Sequence, residues 1–358
     1  MKRMVILYGG RSGEHEVSLV SAASIVRHLD SSAFRPILVG ASKEGEWYLQ
    51  DGSAVAGDSL SIAKGRRVFA APGRGLVVES PRGPESLECD LVFPVLHGSF
   101  GEDGTIQGLL EIAGLPYVGA PVLGSGLGMD KQKSKELWQG AGLPVVPFIA
   151  VRPEAMGDVD ALSRKAGARF GWPCFVKPCS SGSSVGASKV AAGDALGPAL
   201  RAAFDWDEKV LIEPFVVARE IECAVLGDAE PVAFAPGEVI PTHEFYDYEA
   251  KYVDPEGARL EVPAAISPEQ AERVKSVAVA AFKACELSGM ARVDFFIDRR
   301  TGEVLLNELN TIPGFTHISM YPRMCEAGGL PYSELITRLA ELAIERHARR
   351  SRLKFMRV

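Results

Sequence analysis

Over the first third of the chain, short apolar runs that end at glycine alternate with segments whose apolar residues recur at helical spacing. Val5, Ile6, Leu7 and Tyr8 form an uninterrupted run that stops at Gly9 and Gly10, the pattern of a short buried strand. Over 16–29, Val17, Val20, Ala23, Ile25, Val26 and Leu29 fall roughly on one helical face. Further strands are predicted at 36–41 and 91–96, and a helix at 105–113 after Gly104. A strand-turn-helix rhythm of this kind predicts a parallel sheet. Residues 52–84 shift toward Gly, Ala and Arg and read as an inserted loop or hairpin of no legible function.

The pattern changes after 130. A charged helix over 130–140 is followed by strands predicted at 145–150, 173–178 and 187–190, a helix over 193–204 and a strand at 209–213. Then come strands at 220–226 and 231–240, a loop crowded with aromatic and charged residues over 242–257, and a helix over 268–285. Two strands at 291–298 and 303–309 meet at a turn on Gly302. The basic stretch 346–352 reads as the solvated end of a helix, where cations suit the C-terminal dipole.

Length adds that 358 residues suffice for two or three domains. A net charge of −7 argues against non-specific nucleic-acid binding, which needs a basic surface to displace phosphate counterions. None of the six cysteines shows C-x-x-C spacing, and the first apolar run is too short for a secretory signal. No window approaches the roughly 18 apolar residues of a membrane span. The expectation is a soluble, cytoplasmic protein with neither membrane nor nucleic acid as partner.

Several clusters carry chemistry. The turn Gly9-Gly10-Arg11-Ser12-Gly13 lacks the G-x-G-x-x-G spacing of a dinucleotide site. Glu14 and Glu16, at the first turn of the following helix, either cap it or, in the case of Glu14, hold a substrate ammonium. His97 to Gly104 joins a strand end to a helix start, where open α/β sheets bind ligands. Lys177 ahead of Gly182, Ser183, Ser184 and Gly186 pairs a strand-end cation with a small hydroxyl-rich loop able to fold over polyphosphate; a plain hairpin turn is the other reading. Alternation puts Arg292 with Asp294, and Glu308 with Asn310, on shared strand faces. Two such strands would aim Asp, Glu and Asn oxygens at one point, which suits Mg²⁺ or Mn²⁺. The 242–257 loop could close over a site as a lid, or be an ordered surface loop.

In order along the chain, GGRSGEHEVSL, HGSFGEDG, MDKQKSK, FVKPCSSGSSVGASKV, EFYDYEAKY and GMARVDFF with NELNTIPGFTHISMYP resemble the motifs of the D-alanine–D-alanine ligase family of the ATP-grasp superfamily. The resemblance implies an α/β fold of three domains, 1–125, 126–216 and 217–358, the first Rossmann-like, with ATP held between the other two. It implies that Lys131 and Lys177 contact phosphates with Ser183 and Ser184, and that Lys251 reaches the γ-phosphate from the lid. Glu213 with the backbone of Phe215 and Val216 would hold adenine, Glu220 the ribose, and Asn307 and Glu308 would also contact the nucleotide. Asp294, Glu308 and Asn310 would bind two Mg²⁺ or Mn²⁺. Glu14 would bind the first D-alanine and form a hydrogen-bonded set with Ser183 and Tyr252. Arg292 and the N–H of Gly314 would stabilise the oxyanion, Ser319 and Met320 would take the second substrate's carboxylate, and His97 would lie beside the first. A homodimer joined through the N-terminal domain is implied as well. One departure stands at Pro214, where many relatives carry lysine; its carbonyl can still accept from the adenine amino group, but a cation at the purine is lost.

Three activities compete on this footing. The first is D-alanyl-D-alanine synthesis through an acyl phosphate, for peptidoglycan precursors. The second is a relative using D-serine or D-lactate, the intact EFYDYEAKY segment speaking against lactate. The third is a nucleotide-binding or oxidoreductase protein built on the N-terminal glycine turn, which would leave the 292–316 cluster without a role.

Overall fold

The computed structural model describes residues 1–183, 185–241, 258–316 and 318–354. The first apolar run becomes the strand Lys2–Gly9, parallel to Phe34–Ala41 on one side and Leu91–Val95 on the other. Trp47–Leu49 adds an antiparallel edge. A central strand needs apolar residues on both faces, and alternation divides them. Met4, Ile6 and Tyr8 enter a core shared with Tyr321, Leu335 and Leu339 from near the end of the chain. Val5 and Leu7 enter another with Ile106, Leu110, Val68, Leu76 and Val78. The 52–84 stretch therefore has a structural role. It builds an antiparallel hairpin, Val68–Ala71 and Gly75–Val78, extended by Glu85–Leu87, whose inward residues close this second core.

A second, antiparallel sheet runs Ile149–Val151, Val210–Pro214, Cys174–Pro178, Ser188–Val190. Its core takes Leu162 and Ala166 from the helix Val159–Phe170 and Leu196, Leu200 and Ala203 from Leu196–Phe204. The helix Val159–Phe170 is absent from the sequence expectation because only Leu162 and Ala166 of its twelve residues are buried, too thin a stripe to show a period. The strand expected over 145–150 shortens to Ile149–Val151 after Pro147, since proline cannot donate to a ladder.

A third sheet, also antiparallel, runs Ala258–Glu261, Gly237–Pro241, Ala218–Gly227, Gly289–Asp298, Val304–Asn310. The single strand expected over 231–240 splits into Val232–Ala233 and Gly237–Pro241 around Pro236. One face packs on the helix Pro268–Ala284, which starts where the Ser267 hydroxyl accepts from Gln270 N–H and the Gln270 side chain returns to Ser267 N–H. Proline at its first position needs no donor there. Met320–Ala327 and Tyr332–Arg350 cover the other face. The helix Lys131–Gly140 also joins this unit, with Trp138 in the third sheet's core and donating to the Ala281 carbonyl at 3.2 Å.

The basic C-terminal stretch is not simply solvated. Arg346 is buried, donates to the carbonyls of Tyr117 (2.8 Å) and Gly119, and lies over the Tyr117 ring. Arg349 pairs with Asp228, and Arg350 with Glu111 at 3.2 Å. Arg346 and Arg350 fasten the last helix to the N-terminal unit, and Arg349 fastens it to the turn after Ala218–Gly227. All six cysteines are free, and no helix among the described residues is long and apolar enough to cross a membrane.

Replacing Arg346 strands two buried carbonyls. Arg346→Ala should cost about 2–4 kcal/mol in urea denaturation, whereas Arg352→Ala, on an exposed turn residue, should cost under about 0.5 kcal/mol; equal effects would remove the clamp.

Candidate active site

The second and third sheets face each other across a cleft of about 730 Å³. From the second sheet it takes Lys177, the loop residues Ser181, Ser183 and Val185, and Lys189, Glu213, Phe215 and Val216; from the third, Glu220, Glu222, Arg292, Asp294, Asn307 and Glu308. Lys131 enters from the start of its helix. The lysine-glycine-serine segment is both things its sequence allows, a hairpin between antiparallel strands and a wall of this cleft.

The charged side chains are paired. Lys177 Nζ lies 2.8 Å from Glu213 Oε2 and donates to Asn307 Oδ1 at 3.0 Å. Lys135, fully buried, holds the other Glu213 oxygen at 2.9 Å and donates to the Val146 carbonyl at 3.3 Å. Burial works against the Glu213 carboxylate, but the two lysines outweigh it and its pKa falls below the usual value. Burial lowers Lys135 to about 8 in spite of Glu213. Lys131 stands at a helix N-terminus, the wrong end of the dipole for a cation. Its ammonium donates to the Ser181 carbonyl at 2.8 Å and lies 3.3 Å from Glu308. Burial disfavours that charge, yet Glu308 more than compensates and the pKa is raised.

In the third sheet the register sets Asp294 opposite Glu308 and Arg292 opposite Asn310. This is the convergence that strand alternation predicts. Arg292 grips Asp294 with two bonds of 2.8 and 2.7 Å, and Asn310 donates to Asp294 at 2.9 Å. Glu222, the cross-strand partner of Asp294, lies 3.1 Å from Arg292 Nε.

The N-terminal unit reaches the same place. Glu14 occupies the N-cap position of its helix without making a side-chain cap bond. Its carboxylate instead accepts from the Ser183 hydroxyl at 2.5 Å. A Cβ at Gly98 would lie 2.6 Å from Glu14 Oε2 and one at Gly182 2.9 Å, so both glycines lie close against this carboxylate; φ +70° at Gly98 favours glycine there. His97 is buried and fully committed. Its Nδ1 lies 2.9 Å from the Ile312 carbonyl and its Nε2 3.1 Å from Ser21 Oγ. The carbonyl can only accept, so Nδ1 carries the proton and Nε2 accepts from Ser21. Burial lowers the His97 pKa, with Glu14 opposing. Its visible work is to hold the 311–315 loop, since Phe315 N–H also donates to Ser21 Oγ at 3.3 Å.

Gly314 lies in that loop. A Cβ there would meet Ser319 Oγ at 2.7 Å, and Ser319 Oγ accepts from Thr316 N–H at 3.0 Å. The Met320 side chain is buried against Gly237, so what Met320 can offer a ligand is its main chain at a helix N-terminus. Ser184, Lys251, Tyr252 and the 242–257 segment lie outside the described residues.

Four site residues are missing from the sequence expectation. Glu102 is buried and accepts from Gly98 N–H at 2.9 Å and Ile312 N–H at 2.8 Å. It stands inside the His97–Gly104 motif and is visible there only as one of two acids. Lys135 follows Lys131 by four, so both point along one helix face. Glu222 follows Glu220 by two and shares its strand face. Lys189, with its ammonium 4.2 Å from the Phe215 ring centre, puts a cation beside the segment where Pro214 removes one.

Family models for the D-ala D-ala ligase N-terminus and C-terminus match residues 3–120 and 137–341. The chain is 48% identical to the D-alanine–D-alanine ligase of Treponema denticola over 365 residues, 99% of each protein. Among solved structures it is similar to the D-alanine-D-alanine ligase from Coxiella burnetii, at 36% identity and TM-score 0.84 over 98% of this chain and 97% of that one. It is also similar to the VanG D-Ala:D-Ser ligase from Enterococcus faecalis, at 34% identity and TM-score 0.83 over 96% and 99%.

Burial, and then Glu14, raises Glu102 to about 7. A raised carboxyl pKa favours the fold while the group is protonated, so its contribution is complete below the unfolded value near 4.5 and disappears as pH rises through about 7. Urea titrations from pH 4.5 to 8 should show this loss in the wild type and a flatter profile in Glu102→Gln; identical profiles would remove Glu102 as its source.

Proposed function

The chain belongs to the D-alanine–D-alanine ligase family of ATP-grasp enzymes, and on that basis we propose that it joins two D-alanine molecules into D-alanyl-D-alanine, with ATP converted to ADP and phosphate. The observation that supports this most is the meeting, across one cleft, of Lys131 and Lys177 with Asp294 and Glu308, while the Glu14–Ser183 bond ties the N-terminal unit to the phosphate loop. Such a site can bring an anionic nucleotide to a small zwitterion. The division into units 1–125, 126–216 and 217–358 belongs to the same proposal.

A carboxylate is a poor acyl donor. One oxygen of the first D-alanine attacks the γ-phosphorus, the bond to the ADP oxygen breaks, and an acyl phosphate forms. Glu14 holds that substrate's ammonium, while Lys131, Lys177 and Lys251 carry the phosphate charge. Adenine lies against Glu213, Phe215 and Val216 with Lys189 close by, the ribose against Glu220, and Ser184 and Asn307 beside the phosphates. The amine of the second D-alanine, once deprotonated, attacks the carbonyl. Arg292 and the Gly314 N–H hold the oxyanion, phosphate leaves, and the helix start at Ser319 and Met320 takes the incoming carboxylate. We assign Tyr252 to the Glu14–Ser183 set, and to the 242–257 segment the task of keeping water from the acyl phosphate. His97 keeps the oxyanion loop in register beside the first substrate.

Asp294, Glu308 and Asn310 offer only oxygen donors from adjacent strands in register, a set that fits Mg²⁺ or Mn²⁺ sharing further ligands with phosphate. Two such ions, when bound there, would offset the charge of the transferring phosphoryl group.

D-serine as second substrate is a second reading, supported by the likeness to the D-Ala:D-Ser ligase. The product supplies peptidoglycan precursors in the cytoplasm, a compartment that six free thiols suit. Leu109 and Ile112 on one helix and Val122 and Leu123 on a touching one are exposed, and a second copy of the chain covers them in a homodimer.

ADP release should require both D-alanine and Mg²⁺, and D-alanine should outcompete D-serine and D-lactate as acceptor. Release without D-alanine would reject the ligase reading, and preference for D-serine would select the second one. Glu308→Gln should lower turnover by about two orders of magnitude or more; a near-normal rate would remove the metal assignment. Ile112→Asp with Leu123→Asp should convert a dimer to monomer in sedimentation analysis, and an unchanged mass would place the interface elsewhere.

A further inference from the structure

Two lysines share one buried carboxylate, and only one of them can reach a ligand. Glu213 is 3% exposed, with Lys177 at 2.8 Å on one oxygen and Lys135 at 2.9 Å on the other. Lys177 lines the cleft, whereas Lys135 has no exposed surface and no place in the cleft wall. To contact phosphate, Lys177 must loosen its hold on Glu213. Removing every counterion from a buried carboxylate costs several kcal/mol, so without a second cation Glu213 would retain Lys177 and the nucleotide would lose it.

We propose that Lys135 is a positioning residue that frees Lys177 for the nucleotide, remaining as the fixed counterion of Glu213 when Lys177 turns to phosphate. The inference rests on the nucleotide site proposed above. Its geometry is one-sided by construction. The helix Lys131–Gly140 carries Lys135 on the inner face, and the Val146 carbonyl accepts its second bond. The charged groups acting on Lys135 are Glu213 from Val210–Pro214, Lys177 from Cys174–Pro178 and Glu308 from Val304–Asn310. Lys131 stands one turn earlier on its own helix. Burial brings the Lys135 pKa down to about 8, so its charge is present at pH 7 and is lost as pH rises beyond that value. Above it, Glu213 reverts to Lys177.

Calorimetric binding of Mg²⁺–ADP to the full chain between pH 7 and 9.5 tests this. Wild-type affinity should fall by about tenfold across the range, with net proton release accompanying nucleotide release. Lys135→Met should bind about tenfold more weakly at pH 7 and show no such slope. Lys135→Met with Glu213→Gln should bind as well as Glu213→Gln alone, because glutamine does not hold Lys177 and both variants lack what Glu213 gives the adenine. Affinity of Lys135→Met equal to wild type, a pH slope that persists in it, or a double variant weaker than Glu213→Gln alone would each overturn the inference. A wild type that binds no nucleotide would overturn the site reading itself, a result separable from these. Should Lys135→Met fail to fold, the double variant and the wild-type slope still decide: a double variant that matches Glu213→Gln and a sloping wild type support the role, and their absence rejects it.

Discussion

Charge is buried between the second and third sheets, and every buried charge there must have a partner. Lys131, Lys135, Lys177 and Glu213 are all under a tenth exposed, and any of them alone would carry a desolvation penalty of several kcal/mol. Pairing makes the cluster tolerable and also gives it order. Glu213 sets where both Lys135 and Lys177 stand, Lys177 reaches Asn307, and Lys131 reaches Glu308. Two strands of the second sheet are thereby related electrostatically to one strand of the third. A ligand with several negative charges can enter such a network by exchanging partners, because the cations are already gathered and dehydrated. An acidic protein of net charge −7 thus gathers Lys131, Lys177, Lys189 and Arg292 into one cleft, among carboxylates that hold them in place.

A second set of contacts fixes the loop that follows the last strand of the third sheet. The 311–315 loop has little regular structure of its own, and its main-chain groups are taken up by the N-terminal unit. The Ile312 carbonyl accepts from His97 Nδ1, its N–H donates to Glu102, and the Phe315 N–H donates to Ser21. Side chains from the start of the chain therefore hold a loop that would otherwise have to satisfy buried polar groups alone. The loop follows directly on Asn310, so the register of the third sheet and the anchoring of the N-terminal unit meet within a few residues.

Much of this is visible in the order of residues along the chain. The parallel N-terminal strands, the capped helix from Pro268 and the facing of Asp294 with Glu308 follow from period, capping and alternation. The failures have physical causes. Pro147 and Pro236 cut predicted strands short, and Val159–Phe170 buries too few residues to show its period. Glu14 sits where a capping acid would, and only the fold shows its carboxylate turned to Ser183 across the molecule. Lys135 and Glu102 take their meaning from partners 78 and 210 residues away along the chain. Spacing within a segment carries no information about such partners, although helix and strand periods mark both faces on which new candidates stand.

The opening strand has its own dependence. One face of it is completed by the hairpin near residue 70, whereas Met4, Ile6 and Tyr8 pack with Tyr321, Leu335 and Leu339. The helix His15–His28 covers part of that second face early, through Ala22, Ala23 and Ile25. The rest is closed by contacts that span nearly the whole chain, and such contacts are slow to form. Until the last two helices dock, part of an apolar sheet face stays open to chaperones and proteases.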